Sequence, residues 1–185
     1  MTNFIDTLFA VDARWSERLR LKRDNQWIWP ASVFFAHSGD SWFCLLALSL
    51  IWLFGNPQWH NNAALMGVST VAMALIVLTI KFIVRRRRPE GDWGAIYRKS
   101  DPHSFPSGHA ARTALLAVMA MGLGPAWFGL ALLIWAPAVS AARVITGLHY
   151  LSDVIVGILV GALGGVLFLA LAPLLMSAFP FAFLP

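Results

Sequence analysis

Residues 142–165, which read ARVITGLHYLSDVIVGILVGALGG, decide the fold. Arg143, His149 and Asp153 stand at the start of this stretch, and an apolar run continues from His149 to about residue 176. A helix needs about 20 apolar residues to cross a bilayer, so we predict a membrane-spanning helix that begins near His149. Three glycines at four-residue spacing would let a neighbouring helix approach closely, namely Gly157, Gly161 and Gly165.

Composition supports a membrane protein. Of the 185 residues, 58% are hydrophobic and only 12% are charged, whereas soluble domains carry about 25% charged residues. The net charge is +5, but the basic residues lie between apolar segments, which argues against a nucleic-acid partner and favours anionic headgroups. A single cysteine, Cys44, excludes an internal disulfide.

The apolar segments predict an all-α, multi-pass transmembrane bundle, because helices and closed barrels alone satisfy their backbone in lipid. We expect five membrane helices, or six if residues 27–38 count separately from 39–54, where His37-Ser38-Gly39-Asp40 interrupts the run. The predicted spans are 27–54, 62–84, 109–123, 126–142 and 149–176.

The chain divides into three predicted parts. Residues 1–26 form an N-terminal arm whose apolar and charged positions alternate at helical spacing, which indicates an interfacial amphipathic helix or a helix packed on the body of the protein. Residues 27–178 form the transmembrane domain, and residues 179–185 form a short tail. If residues 27–54 cross once, all Lys and Arg residues fall on one face, which the positive-inside rule assigns to the cytoplasm.

Basic and small residues at span ends on this face suit phosphate binding. Lys81, Arg88 and Arg143 can neutralise phosphate charge, and the planar Arg fork matches phosphate geometry. Ser107 and Gly108 precede a helix, whose first backbone N–H groups and dipole favour an anion. Each cluster taken alone also fits a structural role, as a topogenic anchor, a turn with a helix cap, or a buried ion pair.

Histidines on the same face suit nucleophilic and acid–base chemistry. His149 and Asp153 are four residues apart and would share one face of a helix. Asp153 can orient the imidazole of His149 so that its free lone pair faces phosphorus. His109 opens another helix and can protonate the leaving oxygen, then activate water.

Together these clusters resemble the type 2 phosphatidic acid phosphatase superfamily of membrane lipid phosphatases. The matching motifs are Lys81…Arg88-Pro89, Pro106-Ser107-Gly108-His109 and Ala142-Arg143…His149…Asp153, with Ala142 where the family commonly has Ser. The resemblance covers roughly residues 27–175 and implies a phosphohistidine mechanism that needs no metal or cofactor. In it, His149 is the nucleophile, Asp153 its orienting partner and His109 the acid/base. Phosphate is held by Lys81, Arg88, Ser107, Gly108 and Arg143.

The resemblance implies a lipid phosphate or diphosphate substrate in a bilayer, with phosphatidic acid, phosphatidylglycerol phosphate, isoprenyl diphosphates and lipid A as candidates. It also implies a bacterial cytoplasmic membrane. Many bacterial members have the site on the outer face, whereas the charge rule assigns it to the cytoplasmic face, so both sides stay open. A lipid phosphotransferase and a non-enzymatic lipid-binding protein are the alternatives. We interpret Arg85–Arg87 as a membrane anchor or a second phosphate site. Candidates for headgroup selection are Tyr97, Arg98, Lys99, Asp101 and His103.

Overall fold

The computed structural model describes residues 4–22, 24–91 and 93–184. Arg23, which the sequence places in the basic N-terminal arm, lies outside these residues. The helices are α1 (Phe4–Leu19), α2 (Ile28–Ser38), α3 (Ser41–Phe54), α4 (Pro57–Val84), α5 (Ala95–Ser100), α6 (Gly108–Leu123), α7 (Ala126–Ile145), α8 (Leu151–Ala170) and α9 (Ala172–Ala178), followed by a 3-10 turn at Pro180–Ala182. The described residues contain no β-strand, and the all-α prediction is confirmed.

Four of the five expected spans correspond to helices that are long and apolar enough to cross a membrane, if α2 and α3 count as one broken span. By length and composition three helices can each cross a membrane, α4, α7 and α8. The pair α2–α3 would add a fourth as one broken span, bent by 61°. Helix α6, the fifth expected span, is apolar and has 16 residues, fewer than the roughly 20 of a typical span. Most of its residues are buried, so it serves as the centre of the bundle.

Local chemistry moves several helix boundaries from their predicted positions. Helix α4 begins at Pro57 rather than at residue 62, because the Asn56 side chain accepts a hydrogen bond from the Trp59 amide (3.0 Å) and proline suits the first turn. Helix α8 ends at Ala170, and Pro173, which has no amide hydrogen, lies in the first turn of the separate helix α9. The loop between α4 and α6 also contains a short helix, α5, which the apolar pattern of the sequence does not predict.

Glycines on α8 bring it against α6. A Cβ at Gly161 would lie 2.0 Å from the Ala111 carbonyl oxygen, and one at Gly157 would lie 2.6 Å from that of Ser107. Only glycine permits this approach, so the packing role predicted for the glycines is confirmed. As a result, the start of α6 lies beside the start of α8.

Candidate active site

The three sequence clusters meet at one end of the bundle. The Lys81 cluster lies at the end of α4, Ser107–His109 lies at the start of α6, and His149 lies in the turn between α7 and α8. The Ser107 amide donates to the Asp153 carbonyl (2.9 Å), which joins the second cluster to the third. All of the predicted site residues are therefore carried to the same end of the molecule.

His149 is held by a tight turn rather than by a helix. The Leu148 and His149 amides both donate to the Arg143 carbonyl (3.0 and 3.1 Å), and Gly147 adopts a left-handed φ of 71°. Helix α8 begins only at Leu151. The premise that His149 and Asp153 share a helix face is therefore wrong, although the turn still brings their side chains together.

The imidazole of His149 faces a cation on one side and a carboxylate on the other. Its Nε2 lies 2.9 Å from Arg88 Nη1, and its Nδ1 lies 3.5 Å from Asp153 Oδ2. Only 1% of His149 is exposed. Burial, and next the positive charge of Arg88, hold its pKa well below the usual 6.5. A histidine with a lowered pKa is neutral at physiological pH, which leaves one ring nitrogen with a free lone pair.

Asp153 is fixed by two donors. Arg86 Nη1 donates to its Oδ1 (2.7 Å), and the Tyr150 amide donates to its Oδ2 (2.9 Å). Arg86 is buried, whereas Arg85 and Arg87 are exposed. The interpretation of Arg85–Arg87 as an anchor or second phosphate site is therefore wrong for Arg86, which instead hydrogen-bonds Asp153 beside His149.

Lys81 and Arg88 converge on one carboxylate. Asp101 Oδ2 accepts from Lys81 Nζ (2.5 Å) and from Arg88 Nη2 (2.7 Å). Both cations are almost fully buried, while 38% of the Asp101 side chain is exposed. A half-buried carboxylate thus pairs with two buried cations. Of these, Arg88 also contacts His149, and both carry the donor groups that bind phosphate oxygens in other sites.

Arg143 is fully buried and only partly paired. Its Nη1 donates to the Ala36 carbonyl (3.0 Å), and its Cζ lies 4.5 Å from the centre of the Tyr97 ring. Its Nε and Nη2 have no hydrogen-bond partner among the described residues. Leaving buried charged donors unpaired is costly, so these N–H groups are suited to receive phosphate oxygens.

Ser107 and Gly108 have different roles. The Ser107 hydroxyl accepts from the Ala110 amide (3.4 Å) and caps α6, and its own amide is occupied by Asp153. Gly108 lines the pocket, and a Cβ there would meet only Val77, at 3.6 Å. Packing alone therefore does not require glycine at 108, and the position leaves space beside the α6 amides that lack intrahelical partners.

His109 has its own orienting carboxylate. Its Nε2 lies 2.5 Å from Asp40 Oδ1, and Tyr97 donates to the same oxygen (2.9 Å). Asp40 had been predicted only as part of a helix break, so this partner was missed. Arg112 holds the break in place by donating to the Gly39 carbonyl from Nε (3.0 Å) and Nη2 (2.5 Å).

A pocket of about 180 Å³ is lined by four of the predicted site residues, Lys81, Gly108, His109 and His149. Lys81, His109 and His149 lie at one end, and apolar residues of α4 extend it into the bundle. A larger apolar cavity of about 480 Å³ lies between α2, α3, α6 and α7, with His37 and Ser38 among its few polar residues. In the part of the chain that the structure describes, no three His, Cys, Asp or Glu residues group as metal ligands would.

The chain is similar in sequence to known proteins. A sequence model of the PAP2 superfamily matches residues 62–176. The chain is 32% identical over 132 residues to the decaprenylphosphoryl-5-phosphoribose phosphatase of Mycobacterium tuberculosis, covering 70% of this chain and 72% of that protein. It is 29% identical over 151 residues to the lipid A 4'-phosphatase of Bacteroides thetaiotaomicron, covering 71% of this chain and 64% of that protein.

Solved structures show the same fold. The transmembrane PAP2-type phosphatidylglycerolphosphate phosphatase from Bacillus subtilis superposes with a TM-score of 0.74 at 22% identity, over 91% of this chain and 87% of that one. Aquifex aeolicus LpxE superposes with a TM-score of 0.65 at 19% identity, over 89% and 93% of the two chains.

Proposed function

Because the chain belongs to the PAP2 superfamily and is an integral membrane phosphatase of that family, we propose that it hydrolyses a lipid phosphate or diphosphate through a phosphohistidine on His149. The charged groups around the buried imidazole of His149 are the main support for this function. His149 lies between Asp153 and Arg88, and Lys81 shares the Asp101 carboxylate with Arg88.

In the first step the Nε2 lone pair of His149 attacks phosphorus, and the bond from phosphorus to the lipid oxygen breaks. His109 donates a proton to that oxygen. The phosphorylated imidazole keeps its proton on Nδ1, where the negative charge of Asp153 stabilises it. Lys81, Arg88 and Arg143 stabilise the charge that spreads over the phosphoryl oxygens.

In the second step water attacks phosphorus and the P–N bond breaks. His109, now neutral, accepts the proton from that water, and inorganic phosphate leaves. We assign the proton transfer to Nδ1 of His109, because Nε2 contacts Asp40. Each histidine is thus paired with its own aspartate, His149 with Asp153 and His109 with Asp40.

The lipid chain enters the site between α3 and α4, according to this proposal. These two helices are joined by a short turn at the end of the bundle away from the site, so the start of α3 and the end of α4 lie at the site end. Ser41 of α3 and Leu78 of α4 line the pocket there, and Leu78 is 44% exposed. A phosphate can therefore reach His149 while its hydrocarbon chain stays in the bilayer.

The site and the names of two relatives support the proposed substrate class. Both curated relatives are named for lipid-linked phosphates, one decaprenyl and the other lipid A. The pocket has room for a phosphate group beside Lys81, His109 and His149. We place the enzyme in a bacterial cytoplasmic membrane, as expected of a relative of bacterial lipid phosphatases.

Phosphate release by the purified protein in mild detergent with excess EDTA tests the proposal. The substrates are phosphatidic acid, phosphatidylglycerol phosphate and a long-chain isoprenyl diphosphate. His149→Ala should lose at least about a thousandfold in rate. The control His60→Gln alters a histidine that binds the Trp52 carbonyl at the opposite end (2.7 Å). Equal phosphate release by wild type and His149→Ala would refute the assignment of His149 as the nucleophile.

A further inference from the structure

Helix α1 supplies the cap of α8. The Leu151 and Ser152 amides belong to the first turn of α8, where backbone N–H groups lack intrahelical partners. The Ser16 hydroxyl accepts from Leu151 (2.8 Å), and Asp12 Oδ1 accepts from Ser152 (3.0 Å). Ser16 is buried and the Asp12 side chain is only 13% exposed. The inner edge of α1 is therefore docked where the catalytic turn leads into α8.

The same Asp12 carboxylate also holds Arg86. Its Oδ2 accepts from Arg86 Nη2 (2.7 Å) and from the Ser152 hydroxyl (2.5 Å). The other nitrogen, Nη1, donates to Ser152 (2.7 Å) and to Asp153 Oδ1 (2.7 Å). The rings of Phe9 and Tyr150 lie within 4.6 and 4.0 Å of the guanidinium carbon. The planar guanidinium thus bridges two carboxylates in a fixed orientation.

We infer that Asp12 is a positioning residue for the reaction, acting through Arg86 and Asp153 on His149. The inference rests on the proposed phosphohistidine mechanism. Because Asp12 shares the positive charge of Arg86, Asp153 keeps negative charge for the imidazole proton of His149. Without the Asp12 charge, Arg86 would pair with Asp153 alone and draw that carboxylate away from His149.

This role predicts a specific kinetic change. Asp12 does not line the substrate pocket, so Asp12→Asn should leave KM within about twofold and lower kcat about tenfold to a hundredfold, as small displacements of catalytic groups do. In an Arg86→Gln background, Asp12→Asn should have no further effect, because residues that act in series are not additive.

A purely structural role for Asp12 makes a different prediction, and two matched variants separate the two roles. Ser16→Ala removes the other contact between α1 and the start of α8 but leaves Arg86 untouched. Glu17→Gln removes a carboxylate from the same helix whose side chain is 71% exposed. Both variants should keep the wild-type kcat. Equal loss of kcat in Ser16→Ala and Asp12→Asn would overturn the inference, since docking of α1 alone would then explain it.

The experiment measures kcat, KM and thermal stability for these variants with the lipid phosphate that the wild type hydrolyses fastest. If Asp12→Asn does not fold, Ser152→Ala replaces it, because this hydroxyl bridges Asp12 and Arg86, and it should lower kcat without changing KM. Wild-type kcat in the folded variant overturns the inference.

A readout without turnover separates this inference from the proposed function. NMR of the ¹⁵N-histidine-labelled protein should show that Asp12→Asn shifts the ring resonances of His149 and that Ser16→Ala does not. A wild type without phosphatase activity but with this shift would refute the proposed function and keep the linkage from Asp12 to His149. An active wild type without the shift would refute the linkage alone.

Discussion

Replacing Asp40 by Asn tests the second histidine–aspartate pair. Asp40 Oδ1 lies 2.5 Å from His109 Nε2, and the Asp40 side chain is 14% exposed. Asn has the same shape and can still accept the hydrogen bond from Tyr97, so the α2–α3 break should be preserved. What is lost is the negative charge that keeps the proton on Nε2 and stabilises protonated His109.

The size of the effect follows from the role of His109. A positioned acid or base contributes about 10²- to 10⁴-fold to a rate. Asp40→Asn leaves His109 in place but no longer stabilises its protonated form. We therefore expect kcat to fall by about 10²- to 10³-fold, which corresponds to a rise of about 2.7 to 4 kcal/mol in the barrier. Thermal stability should stay close to that of wild type.

The assay compares two leaving groups. A long-chain alkyl phosphate needs protonation of its leaving oxygen, whereas an aryl phosphate of low leaving-group pKa does not. With the aryl substrate, Asp40→Asn should release phenol in a burst and then turn over slowly, because only the attack of water still needs His109. Asp24→Asn, in an exposed position, is the control. A kcat within about twofold of wild type for both substrates would refute the role of Asp40.

Three further substitutions test other parts of the site. Gly108→Ala should leave folding intact, because its Cβ meets no close protein atom, yet lower kcat/KM about tenfold or more by filling the phosphate space, and an unchanged kcat/KM would contradict this. Gly161→Val should lower the free energy of unfolding by about 1–3 kcal/mol or more, because its Cβ would lie 2.0 Å from the Ala111 carbonyl oxygen. The control Gly67→Ala, whose Cβ would have no atom within 4 Å, should leave the free energy of unfolding unchanged. The pKa of His149 is lowered in the folded protein, so below pH 6.5 unfolding takes up a proton and the free energy of unfolding falls as the pH falls. His149→Gln should reduce that fall by up to about 1.4 kcal/mol per pH unit. The same fall in wild type and His149→Gln, measured by thermal melts at several pH values, would contradict a neutral His149.

The parts of the site that sequence predicts are those set by span ends. Apolar runs locate the ends of α4, α6 and α7, and Lys81, His109 and Arg143 stand at those ends. Any bundle with these spans brings the three clusters to one face. The packing role of the α8 glycines is predictable for a similar reason, because residues four apart lie on the same face of one helix.

Arg86 shows what the sequence hides. Four consecutive arginines carry no local signal that distinguishes one from another. In the structure, Arg85 ends α4 in a left-handed conformation (φ 52°) and the chain continues extended, where successive side chains alternate in direction. Arg86 and Arg88 therefore point inward and are buried, whereas Arg87 is exposed. The direction of the alternation depends on how the chain leaves α4, which no composition or spacing records.

Asp12 and Asp40 were missed because their partners are distant in sequence. Asp40 contacts a histidine 69 residues later, and Asp12 contacts residues 74 and 140 positions away. Locally, one resembles a turn residue and the other a polar position on an amphipathic helix. Their roles depend on tertiary docking of α1 and of the α2–α3 break, which hydrophobic periodicity does not specify.

The central claim is a covalent phosphate on one histidine, and trapping that intermediate tests it most directly. The protein is mixed with a lipid phosphate radiolabelled on phosphorus, quenched in alkali within a single turnover, and digested for mass spectrometry. The account predicts label that is stable in base, labile in acid and located on His149, with none in His149→Ala. Label on His109 would contradict it. So would label that is lost in the alkaline quench but kept in a parallel acid quench, as an acyl phosphate on Asp153 would be.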